Sequence, residues 1–142
     1  MIEKLKQRYA RYTEEARKVR ENAKPLDGFL GFGNDPRNNP CHMAFYEDLQ
    51  QWAKDFSASG PGEAEIYEAV RFLLETPAEF REEPCFGFMY VAQGLTREWI
   101  PALTAAQCAF LRDGYDSRYP KRDRMPLQNE VYKLLKKGAG RK

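Results

Sequence analysis

From residue 2 to residue 23 an apolar residue recurs at every third or fourth position, and this spacing constrains the fold more than any other feature. The positions are Ile2, Leu5, Tyr9, Tyr12, Ala16, Val19 and Ala23. Alternating steps of three and four place all of them on one side of a helix. The stripe also fits a heptad, but two tyrosines and two alanines make a weak coiled-coil seam. We therefore expect this helix to pack on the core of its own chain.

The same periodicity predicts further helices downstream. Pro40, capped by Asn39, suits a first helical position, and so do Pro61 and Pro126. Thr104 and Gln107 have the spacing of a capping box. The inward-facing residues are predicted to be Phe45, Leu49, Trp52 and Phe56 in the second helix, Ile66, Val70, Leu73 and Leu74 in the third, and Leu127, Val131, Leu134 and Leu135 in the last.

Several boundaries are predicted from local signals. A capping box over residues 76–79 predicts a separate short helix near 77–82. Thr96 is expected to start a short turn, and Gly114 and Gly138 to end helices. Residues 85–93 could form a buried strand or a buried helix. Pro84 before them and the lack of a partner strand favour helix.

Together these patterns predict an all-α, compact bundle of about five to seven helices in one domain, residues 1–142. A long Gly/Pro/Asn-rich loop over 24–40 follows the first helix. No apolar run approaches the length of a membrane span, and the N-terminus has no secretory h-region. Three widely spaced cysteines form no disulfide framework, so we expect a soluble, cytoplasmic protein with reduced thiols.

Charge is unevenly distributed, although the net charge is only +2. Residues 1–24 carry a net +4 and residues 112–142 a net +6, whereas the middle carries −8. Basic ends suggest an acidic or nucleic-acid partner. The alternative, which we favour, is that both ends pack beside the acidic middle of the same chain.

The segment 115–124 is the strongest functional signal, because cations alternate with tyrosines. Cations neutralise phosphates and tyrosine rings stack on unpaired bases. The candidate nucleic-acid-binding residues are Tyr115, Arg118, Tyr119, Lys121, Arg122 and Arg124. Three aspartates dilute this patch, so a solvated loop with local ion pairs is the alternative.

Candidate catalytic residues are few. His42 is the one histidine, and Cys41 beside it would gain thiolate character at a helix N-terminus. These two residues point about 100° apart on a helix and do not meet. A Cys3His zinc site with Cys85 and Cys108 lacks any Cys-x-x-Cys spacing, so we expect no metal and no cofactor. A ligand pocket around the 28–42 loop would be lined by Phe29, Phe32, His42 and Trp52.

The sequence is therefore compatible with three hypotheses of function, which we place in order. Our first hypothesis is a non-enzymatic helical protein that associates with a protein partner or with itself. The second is a nucleic-acid-associated accessory protein that uses its basic ends. The third is a small enzyme or ligand-binding protein centred on the 28–42 loop. The motifs present are helix caps, which report on fold and not on chemistry.

Overall fold

The computed structural model describes residues 1–21, 40–79 and 86–141, with side chains described except at 19, 20, 40–42, 77–79 and 86–91. Over these ranges the chain is all-helical, which confirms the predicted fold class. The six α-helices are α1 (Ile2–Glu21), α2 (Pro40–Ala58), α3 (Glu63–Glu79), α4 (Phe86–Trp99), α5 (Ala105–Arg118) and α6 (Pro126–Ala139). The 24–40 loop predicted after the first helix lies outside the described residues, apart from Pro40.

Two apolar clusters form the core, and α3 and α4 stand between them. The first cluster joins α1 and α2 to one side of α3 and α4. The second joins α5 and α6 to the other side of α3. Ile66 and Trp99 pack against both clusters. Because α4 contacts α2, α3 and α6, and α3 contacts α1, α4 and α5, these two helices connect the two clusters.

The first helix packs on the bundle as its stripe predicts. Leu5, Tyr9 and Tyr12 are each at most 5% exposed. The Tyr12 ring stacks on Phe45 of α2 with centroids 4.6 Å apart. The Trp52 indole N–H donates a hydrogen bond of 2.8 Å to the carbonyl of Met1. The stripe from Ile2 to Ala16 is therefore buried within its own chain, as expected, and the predicted inward residues of α2 are buried with it. The Val19 side chain and Ala23 lie outside the described residues.

The predicted start of α5 is confirmed. The Thr104 hydroxyl accepts a hydrogen bond from the Gln107 backbone N–H at 3.2 Å, and the Gln107 side chain accepts one from the Thr104 N–H at 3.0 Å. Residues 86–93 are helical, as favoured. At the end of α2 the chain turns at Gly60, whose φ is +66°, a backbone conformation that glycine adopts without strain.

Four predicted boundaries are wrong, in each case because a helix runs on. The third helix continues through Thr76 to Glu79, α5 continues past Gly114 to Arg118, and α6 passes Gly138 to end at Ala139. Thr96 lies inside α4, where its hydroxyl donates to the Gln93 carbonyl at 2.8 Å. That bond within the helix satisfies a buried threonine without ending the helix. Among the described helices, none is long and apolar enough to span a membrane.

Replacing each of two helical glycines by alanine is expected to change the stability of the protein in opposite directions. A Cβ at Gly94 would meet no heavy atom within 4 Å, whereas one at Gly138 would lie 2.5 Å from the Cys108 Sγ. Gly94→Ala should therefore raise the free energy of unfolding by about 0.5–1 kcal/mol, through helix propensity and a restricted unfolded chain. Gly138→Ala should lower it by about 1–3 kcal/mol through overpacking.

Urea denaturation of the two variants tests this expectation. If Gly138→Ala were as stable as Gly94→Ala, the close approach of α5 and α6 at Cys108 would be incorrect. Cys108→Ala in the Gly138→Ala background removes the nearest atom, so the two substitutions should show favourable coupling in a double-mutant cycle.

Candidate functional site

A groove of about 630 Å³ runs between α2 and α4. Gln50, Lys54 and Ser57 are exposed along its α2 side, and Glu98 is exposed on its α4 side. Its floor is formed by small or apolar residues, namely Ala53, Gly94 and Leu95. The groove thus combines a narrow apolar floor with one basic and one acidic rim residue.

An aromatic cluster beneath the groove holds its walls together. Phe56 is fully buried, and its ring stacks on Trp52 of the same helix at 4.8 Å. Trp99 of α4 meets Phe56 edge-on at 5.3 Å and Trp52 at 6.1 Å. Because aromatic pairs of this geometry add to the energy of burial, the spacing between α2 and α4 is fixed by packing.

The two tyrosines of the 115–124 segment are core residues and are not available to stack on bases. Tyr115 is 1% exposed and Tyr119 6% exposed. The Tyr115 hydroxyl donates to the Gln128 carbonyl at 2.7 Å, and the Tyr119 hydroxyl donates to the Leu74 carbonyl. These bonds join α5 to α6 and to α3.

Burial also changes the acidity of these phenols. Loss of solvation raises the pKa of Tyr115, with the nearby Tyr119 adding to the effect. Burial likewise raises the pKa of Tyr119 to about 12, against opposing effects of the Gln93 amide and the Arg118 guanidinium. Gln93 is itself 1% exposed, and its side-chain oxygen lies 3.5 Å from the Tyr115 hydroxyl. Both phenols are therefore neutral hydrogen-bond donors at ordinary pH.

Arg124 is also a core residue, because its side chain is 2% exposed. Its guanidinium lies over the rings of Tyr115 and Tyr132, at 5.0 and 4.6 Å from their centroids. It donates to the Tyr119 carbonyl at 2.7 Å and pairs with Asp116. These contacts stabilise the connection between α5 and α6, and the buried guanidinium is not accessible to a ligand.

The six candidate nucleic-acid residues therefore separate into two groups. Tyr115, Tyr119 and Arg124 are inside the bundle, whereas Lys121 and Arg122 are exposed in the short 3₁₀ turn Lys121–Asp123. Arg118 lies at the end of α5, half-buried, and pairs with Glu75 of α3 at 3.4 Å. The structure does not bring these six side chains together on one surface.

The other candidate pocket falls mostly outside the described residues. Phe29, Phe32 and the side chain of His42 are among those not described. Trp52 is 7% exposed and belongs to the first apolar cluster.

Of the four residues considered for a zinc site, only Cys108 has a described side chain, and it is buried. Burial raises the pKa of the Cys108 thiol, against the opposing effect of Arg141. Within the described residues no group of three or more His, Cys, Asp or Glu side chains is placed to hold a metal ion. Cys108 therefore has the character of a packing residue.

Ion pairs distinguish the two basic ends of the chain. Lys6 pairs with Glu68 of α3 at 3.3 Å, and Arg8 with Asp48 of α2 at 3.5 Å. Two N-terminal cations thus contact the acidic middle, whereas Arg11 and Arg17 pair with acids of α1 itself. In the C-terminal part, the interhelical pairs are Arg118–Glu75 and Arg97–Glu130.

Sequence reasoning did not identify the groove residues. The available signal was the run of small residues at Ala53 and Ser57, four apart on α2, together with Gly94 in a helix. Because the predicted 85–93 segment stops before Gly94, this glycine was not considered part of a helix surface. Comparisons of the chain with protein-family models, with curated proteins and with solved structures found no match.

Proposed function

We propose that the protein is a non-enzymatic binding module that takes a helical segment of a partner protein into the α2–α4 groove. The observation that carries this proposal is the groove itself, about 630 Å³ with a floor of Ala53, Gly94 and Leu95. In helix-in-groove recognition, an amphipathic helix places its apolar face in a hydrophobic groove. Small floor residues let the backbone of a third helix approach closely.

The rim residues define the chemistry of the occupant. Lys54 and Glu98 carry opposite charges on opposite sides of the groove. A fitting helix has a narrow face of alanine and leucine, with an acidic residue toward Lys54 and a basic residue toward Glu98. Exposed ion pairs of this kind contribute about 0.2–1 kcal/mol each, so they set orientation while burial of the apolar face supplies most of the affinity.

A designed helical peptide with that charge pattern is the direct probe. We expect it to bind the intact protein with a dissociation constant in the micromolar range. In ¹⁵N–¹H spectra, the shifts should be concentrated at Ala53, Gly94 and Leu95. Exchanging the acidic and basic flanks of the peptide should weaken binding by up to about fivefold for each pair lost, which corresponds to 1 kcal/mol.

Gly94→Leu is the blocking variant, because open space lies where its side chain would extend. It should weaken peptide binding at least about tenfold, a cost of 1.4 kcal/mol. Ala106→Leu is the matched control, since Ala106 is exposed on α5, away from the groove. An equal loss of peptide affinity in both variants, or chemical-shift changes away from the groove, would exclude the groove as the binding site.

A second copy of the chain is the alternative occupant, since Lys54 and Glu98 could pair reciprocally across a twofold axis. Sedimentation of the protein without peptide distinguishes the two. If the protein is a dimer and Gly94→Leu makes it monomeric, the occupant of the groove is a second copy of the chain and not a partner helix. A monomer that binds the peptide supports the proposal.

A further inference from the structure

The outer face of α6 carries three lysines that have no carboxylate partner in the described part of the chain. Lys133, Lys136 and Lys137 are exposed and spaced i, i+3 and i+4, so they share one side of the helix. Val131 and Leu135 face the opposite way and are fully buried. Among the described residues, no carboxylate oxygen lies within 4.0 Å of these three ammonium groups.

Two further exposed cations lie in the turn that precedes α6. Lys121 and Arg122 are exposed in the 3₁₀ turn that precedes the helix, and neither has a carboxylate partner within the described part of the chain. We call these five residues, Lys121, Arg122, Lys133, Lys136 and Lys137, the C-terminal basic face.

Neighbouring acids are mostly committed to other cations. Asp113 pairs with Arg112, Asp116 with Arg124 and Glu130 with Arg97. Asp123 is exposed beside Arg122 and is the one acid of this region without an ion pair in the described structure. The C-terminal basic face therefore retains a surplus of positive charge, whereas cations of α1 such as Lys6 and Arg8 are neutralised by α3 and α2.

We propose that the C-terminal basic face binds the phosphate backbone of duplex nucleic acid without sequence specificity. A duplex presents about one negative charge per 1.7 Å of its axis, and lysines release its condensed counterions. Duplex is favoured over single strand because the tyrosines that could stack on bases are buried or covered. A lipid surface is less well matched, since the apolar side of α6 faces the core and offers nothing to insert.

The expected size of the effect is given by the dependence of duplex affinity on salt concentration. If each of the five cations neutralises one phosphate, the slope of log affinity against log salt is about −4.5, so affinity falls about 500-fold between about 50 and about 200 mM salt. Removing three of the cations should reduce the slope to about −1.8 and the loss to about 12-fold.

The experiment is an anisotropy titration of a labelled, mixed-sequence duplex of about 20 base pairs at both salt concentrations. The test variant is Lys133→Gln with Lys136→Gln and Lys137→Gln. The matched control is Lys4→Gln with Arg11→Gln and Lys18→Gln, which removes equal charge from exposed cations of α1. Circular dichroism verifies that both are folded, and Lys121→Gln with Arg122→Gln replaces the test variant if it is not.

Steep salt dependence that is reduced in the test variant and retained in the control supports the proposal. Three results would overturn it: no binding at low salt, equal weakening in the control, or tighter binding of single strand than of duplex. Binding to vesicles containing an anionic phospholipid, without binding to the duplex, would assign the face to a membrane surface instead.

Discussion

Leu73→Ala is expected to lower the free energy of unfolding by about 2–5 kcal/mol, the range for removing a large aliphatic side chain from a packed interior. Leu73 is 0% exposed and belongs to the first apolar cluster, on the helix that stands between the two clusters. The lost methyl groups leave a cavity that helices on both sides can close only in part. Leu49→Ala, at a residue 1% exposed on α2, should cost a similar amount.

Phe110→Ala is the control for this prediction. Phe110 is also large and apolar, but it is 54% exposed. The Arg71 guanidinium lies over its ring, 5.1 Å from the centroid. Its loss should cost under about 1 kcal/mol. Urea unfolding followed by circular dichroism measures all three variants. A loss below about 1 kcal/mol for Leu73→Ala would mean that α3 does not occupy the interior.

Stability should fall sharply between pH 10 and 12. Burial raises the pKa of Tyr119 from 10.0 to about 12. The unfolded chain therefore releases this proton near pH 10, while the folded chain holds it until near pH 12. The stabilisation is fully present below pH 10 and is lost as the pH rises through this window, by about 3 kcal/mol in all. The pKa of Tyr115 is raised in the same direction, so its loss adds to this.

Tyr119→Phe isolates this effect from the titration of surface lysines. At neutral pH the variant should be less stable than the wild type by about 1–3 kcal/mol, because the Leu74 carbonyl loses its buried partner. Because phenylalanine does not titrate, that difference should shrink above pH 10 and vanish near pH 12. A difference that stayed constant with pH would show that Tyr119 is accessible to solvent in the folded protein.

The sequence predicted which segments form helices, but it did not predict correctly where several of those helices end. The stripe on α1 and the capping box at Thr104 are local patterns that the packed structure retains. Gly114 was expected to end α5, but a helical glycine costs only about 1 kcal/mol. Burial of Tyr115 and Tyr119 beyond it favours continuing the helix by more. Thr96 signalled a turn because sequence does not reveal whether a hydroxyl will bond within its own helix.

The candidate sites were harder to predict because exposure depends on tertiary packing. Alternating cations and tyrosines at 115–124 suggested a single binding surface, yet Arg124 stacks on two tyrosine rings inside the bundle. Conversely, three lysines near the end of a helix are common, so the sequence did not mark Lys133, Lys136 and Lys137 as a binding surface. Their excess charge became evident only from the ion pairs of the neighbouring acids. The groove depends on which faces of α2 and α4 meet, and neither helix alone carries that information.

The aromatic cluster beneath the groove gives the chain a built-in optical reporter. The sequence has two tryptophans, and Trp52 and Trp99 lie in that one cluster, 6.1 Å apart on α2 and α4. Their emission therefore reports on the seam between those two helices, whereas far-ultraviolet circular dichroism reports on the helices of both halves of the bundle. Following both signals through one denaturant titration would reveal whether the halves separate together or in turn.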